Sequence, residues 1–130
     1  MANHTVKKLK HLRRMLKNIP KENIYLGDFV SKWNPENFTE CVMCAAGWIA
    51  TDPFLAGEAI WIEDHNGDAD LKSHGDNLTQ AAVEIFGMSE EDCDEILYNF
   101  GYPKDKLKHK KYIIGVIDGL IFKYDFLPRF

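Results

Sequence analysis

Residues 63–77, EDHNGDADLKSHGDN, decide how the rest of the chain is read. Polar and charged side chains crowd around two glycines there, without the apolar period of a helix or a strand, so the segment reads as an exposed loop. Regular structure is expected on both sides of it. Phe54 to Ile62 forms an apolar approach, and beyond it Leu78, Ala81, Ala82, Ile85 and Phe86 recur at helical spacing, with Gly87 suited to the left-handed residue that ends a helix. Taking 63–77 as a loop leaves helices as the regular elements. The expected fold class is therefore all-α: a single compact domain, residues 1–130, of four to six helices with an exposed acidic loop.

Helical spacing of Val6, Leu9, Leu12, Met15, Leu16 and Ile19 predicts a basic N-terminal helix over residues 6–18, with Thr5 as its cap and Pro20 as its stop. The other face of that helix carries Lys7, Lys8, Lys10, His11, Arg13, Arg14 and Lys17, a pattern that solvation alone accounts for. Residues 21–40 mix Ile24, Leu26, Phe29 and Trp33 with Gly27, Asn34 and Pro35, and read as a connection with short turns over the edge of the core. Residues 41–50, CVMCAAGWIA, read as a buried helix whose Ala45, Ala46, Gly47 and Ala50 let a neighbouring helix approach, ended by Asp52 and Pro53. Ser89 and Asp92 resemble a capping box for a helix over about 90–98. Ile113, Val116, Ile117, Leu120 and Ile121 fit a last helix, with a strand as competitor because so many are β-branched. Gly115 and Gly119 have the spacing of membrane helix dimers, but the apolar run is too short for a span. The aromatic tail 122–130, FKYDFLPRF, either follows the domain or reaches a partner.

A core is affordable in 130 residues of which 45% are hydrophobic and 12% aromatic. The net charge of -4 hides a strong segregation: residues 1–20 are net +6, residues 21–103 net -14, and residues 104–130 net +4. Separated charge of this kind steers partners without specifying a fold. Cys41, Cys44 and Cys93 leave one thiol over in any disulfide scheme, and no stretch reads as a secretory signal or membrane span, so a reducing, cytoplasmic setting is expected.

Three stretches in order carry a resemblance to a known group: Cys44-Ala45-Ala46-Gly47-Trp48, Ile85-Phe86-Gly87-Met88-Ser89-Glu90-Glu91 with Ile96-Leu97-Tyr98, and Ile117-Asp118-Gly119-Leu120-Ile121. The chain resembles a family of small uncharacterised bacteriophage and bacterial proteins with a Cys-Ala-x-Gly-Trp helix and a Phe-Gly-Met/Leu-Ser corner, over roughly residues 9–122. The resemblance implies a phage setting and a helical fold, and no catalytic residues. Members often carry a further Cys five residues before the position of Cys44; here that residue is Thr39, so no metal pair is carried over.

Cys41-x-x-Cys44 has metal-ligand spacing, with Cys93, His65 and His74 as the other candidates, but thiols in an Ala-rich apolar segment read as buried small hydrophobes. Asp64 to Asp70 superficially suggests a calcium loop; counted from Asp64, the glycine position holds Ala69 and the twelfth holds Gly75, which rejects an EF-hand. No nucleophile elbow or phosphate-cradling glycine run occurs, so no catalytic residue, metal site or cofactor is assigned. The expected function is that of a non-enzymatic phage accessory protein that binds and inhibits or redirects a host macromolecule, such as an antiphage-defence component. Glu63, Asp64, Asp68, Asp70 and Asp76 would face a basic surface on a host protein. Two alternatives stand beside it: sequestration of a nucleotide-like small molecule by basic residues from the termini in an oligomer, and nucleic-acid binding by the basic helix.

Overall fold

The apolar stripe of the N-terminal segment does what its period predicts. Helix α1 runs from His4 to Lys17 and buries Val6, Leu9, Leu12 and Leu16. Thr5 lies inside the helix instead of capping it, and its hydroxyl donates to the carbonyl of Phe86 at 2.6 Å, tying the start of the chain to a distant helix end. The computed structural model describes residues 4–56, 59–65, 68–98 and 101–126.

The all-α expectation is overturned. Among the described residues, five α-helices are joined by four β-strands in two antiparallel pairs, a mixed α/β fold. The first pair spans two expected segments: β1, Val30–Lys32, lies in the expected connection and pairs with β2, Val42–Met43, at the start of the expected helix, across an irregular register. Short 3₁₀ turns at Lys21–Asn23 and Phe38–Glu40 flank them. Buried Asn23 holds this region together, its side-chain amide donating to the carbonyls of Thr39 (2.7 Å) and Cys41 (2.8 Å) while its backbone carbonyl accepts from the indole of Trp48 (3.1 Å). One polar side chain thus satisfies backbone groups that a short strand leaves open.

Residues 41–50 divide where the sequence suggested one helix. Cys41 and β2 are extended, Cys44 is the N-cap, and α2 covers only Ala45–Ala50. Gly47 serves the close approach expected of it, although the neighbour is a strand segment and not a helix: a Cβ there would stand 2.5 Å from the Phe29 carbonyl oxygen and 2.6 Å from Met43 Cβ.

Helices α3, Leu78–Phe86, and α4, Glu90–Leu97, match their sequence signals. Asn77 caps α3, and Gly87 ends it with φ 68°. The hydroxyl of Ser89 accepts from the Asp92 N–H, which is one arm of the expected capping box; the return arm runs through Tyr124, which accepts from the Ser89 N–H and donates to the Asp92 carboxylate. Helix α5, His109–Phe126, settles the helix–strand competition in favour of the helix and includes the first five residues of the expected tail; residues 127–130 lie outside the described residues.

One core collects Leu9, Leu12 and Leu16 with Ile85, Phe86, Ile96, Ile113 and Ile117, and extends to Ile24, Met43, Ile49 and Ile60. Packing of α1 beside α5 brings the two basic segments of the sequence together, with Arg13 and Asp118 paired at 2.6 Å across the contact. Among the described residues no helix is long and apolar enough to cross a membrane.

Candidate functional site

The segment expected to be a loop at 63–77 is largely a hairpin. Strand β3, Ile60–His65, pairs with β4, Asp68–Ser73, in the register Ile60↔Ser73, Ile62↔Leu71, Glu63↔Asp70 and His65↔Asp68. Its base is anchored by buried Ile60, Leu71 and Ser73 and by the His74 N–H donating to the Ala59 carbonyl at 2.7 Å. Side chains alternate across a strand, so Trp61, Glu63 and His65 share one face with Lys72, Asp70 and Asp68. The other face holds Ile60, Ile62, Asp64, Ala69, Leu71 and Ser73 and is apolar toward the core.

This geometry sorts the five carboxylates that the sequence grouped. Glu63, Asp68 and Asp70 stand on the outward face, whereas Asp64 belongs to the opposite one. Asp76 lies beyond β4 in the 3₁₀ turn His74–Asp76, at φ 59°, and its carboxylate is 3.8 Å from the Lys72 ammonium. Within the outward face Glu63 is directly opposite Asp70, and like charges in that position cost a few tenths to about 1 kcal/mol. His65 Nε2, 2.9 Å from the Glu63 carboxylate, is a partial counterweight.

Sequence reasoning missed Trp61 as a member of this group. It is 44% exposed, on the same face as the carboxylates. An indole beside a cluster of carboxylates favours a cationic guest twice over, through charge and through the ring face. The signal was present in the alternation of Ile60, Ile62 and Leu71 with Trp61, Glu63 and Asp70, around Asn66-Gly67.

Other chemistry-bearing groups have structural work. All three cysteines are buried and free. Burial raises the Cys44 thiol to about 11 and, with Asp94, Asp92 and Glu90 nearby, Cys93 to about 12, so both stay protonated near neutrality. Cys41 accepts from the Asn34 N–H at 3.2 Å. Among the described residues no group of three His, Cys, Asp or Glu side chains is placed to hold a metal ion. A cleft of about 240 Å³ is lined by Leu26, Asp28, Phe29, Leu97, Tyr98 and Tyr102. Beside it His109 is a buried strut: Nδ1 accepts from the Leu26 N–H at 3.1 Å, Nε2 donates to the Pro103 carbonyl at 2.6 Å, and Tyr25 stacks on the ring.

Comparison with protein-family models, with curated proteins and with solved structures finds no match to this chain.

Proposed function

We propose that this chain is a non-enzymatic phage accessory protein, acting in the host cytoplasm, that binds and inhibits or redirects a host macromolecule through the outward face of the β3–β4 hairpin. The observation that carries the reading is the placement of Glu63 directly opposite Asp70, next to Asp68 and exposed Trp61. Among the described residues the face sets three carboxylates against one lysine, Lys72, which lies at its base 3.8 Å from Asp76. A basic host surface relieves the repulsion and covers the indole in one step. A nucleic-acid-binding groove on a host protein, for instance in an antiphage-defence component, has the required charge.

Copurification from infected host cells tests the reading, with Glu63→Gln, Asp68→Asn and Asp70→Asn combined as the main variant and Asp64→Asn with Asp76→Asn as its control. Both keep side-chain shape while removing charge. The expected result is a salt-sensitive host protein that the triple variant loses and the control largely retains. Equal retention by both variants rules out the hairpin face, and loss by the control alone moves recognition to the other carboxylates.

A further inference from the structure

We propose that the groove between the C-terminal end of α1 and the first turns of α5 is a binding site for a nucleoside polyphosphate. The groove is lined by Lys17, Lys21, Lys110 and Lys111 around Leu107 and Ile114, and its volume is about 460 Å³. That volume falls within the range of small-molecule sites, roughly 300–1,000 Å³. No carboxylate belongs to the lining.

The four lysines do not have equal standing. Lys110 is fixed, its ammonium donating to the carbonyls of Lys17 (2.7 Å) and Ile19 (2.6 Å), so it offsets the negative end of α1 that would otherwise repel an anion. Lys17, Lys21 and Lys111 have no carboxylate partner among the described residues. Lys110 and Lys111 also stand in the first turn of α5, which carries no acid, where the helix dipole disfavours cations. Folding therefore gathers positive charge from two ends of the sequence and leaves Lys17, Lys21 and Lys111 without a carboxylate partner among the described residues. Leu107, 50% exposed, and Ile114 supply an apolar floor between the ammonium groups.

An anion alone would leave that floor wet, and an apolar body alone would leave the lysines unpaired. A phosphate chain reaching Lys17, Lys21 and Lys111, attached to a flat body resting on Leu107 and Ile114, meets both demands. Lysine acts on phosphate as a mobile point charge, which suits a chain of several phosphates without fixed fork geometry. The site uses a different surface from the hairpin and does not depend on its partner.

Titration calorimetry of the full chain with ATP, inorganic triphosphate and a single-stranded RNA oligonucleotide tests this. ATP should bind, inorganic triphosphate about tenfold more weakly, and Lys17→Gln with Lys111→Gln should weaken ATP by about tenfold or more. Leu107→Asp should weaken ATP as well, while Lys7→Gln with Lys8→Gln, on exposed or half-exposed positions of α1, should leave it unchanged. Thermal melts show whether each variant remains folded. No ATP binding at millimolar concentration overturns the proposal, and so does triphosphate binding as tightly as ATP, which makes the groove a plain cationic patch. RNA binding tighter than ATP and lost with the same two lysines overturns it in favour of a nucleic-acid surface.

Discussion

Asp92 shows how one residue can be half legible in sequence. Its spacing from Ser89 gives the cap, and that arm is present. Its carboxylate also accepts from Lys123 at 2.8 Å and from Tyr124, contacts made across more than thirty residues that no local pattern announces. Burial alone would raise its pKa; hydrogen bonds from Lys123, Tyr124 and Ser89 outweigh burial and hold the carboxyl below its ordinary 3.8. The charged form is thus favoured by folding, so the contribution is full above about pH 4 and is lost as pH falls through the lowered folded value. Asp92→Asn should cost about 1–3 kcal/mol at neutral pH. Thermal melts of the two proteins should converge as pH is lowered below about 4; a gap that persists in acid would assign the cost to packing instead of charge.

Among the elements, the hairpin is where sequence reading failed, and the reason is physical. Acidic side chains occupy the outward positions and Asp64 and Ala69 interrupt the inward ones near the tip, so the alternation of Ile60, Ile62, Leu71 and Ser73 is diluted to a few residues. Asn66-Gly67 is a strong hairpin signal, but the surrounding charge made the whole segment look like loop. Backbone pairing and anchoring at Ile60 and Leu71 outweigh cross-strand repulsion that local propensity counts against a strand. Asp70→Lys places a cation opposite Glu63 and should stabilise the protein by about 0.2–1 kcal/mol while abolishing capture of a basic host partner. The two readouts are the denaturant midpoint and copurification. A variant that gains no stability would show that the pair is already relieved by solvent, and one that still captures the partner would detach recognition from this face.

For the whole molecule, the core was more legible than the class. Leu9, Leu12, Leu16, Ile85, Phe86, Ile113, Ile117 and Leu120 all sit where their helical period places them, because amphipathic helices of this length declare their buried face. Strands of two or three residues, such as β1 and β2, declare nothing: they exist because the core beneath them needs Met43 and the turn beside them needs Asn23, both tertiary demands. The segregated charge was legible as a sum, but only packing shows that Lys17 and Lys21 come beside Lys110 and Lys111 around one groove. All of these segments meet on the same buried cluster, which includes fully buried Leu12. Leu12→Ala should therefore cost about 2–5 kcal/mol and lower the melting temperature by roughly 10 °C or more. The loss should fall on the entire molecule, so helical circular dichroism, which reports chiefly α1 and α5, and fluorescence from buried Trp48 should still melt at one shared midpoint. Separate midpoints would mean that α1 and α5 form a unit that unfolds independently of α2 and the strands, and would overturn the reading of a single cooperative core.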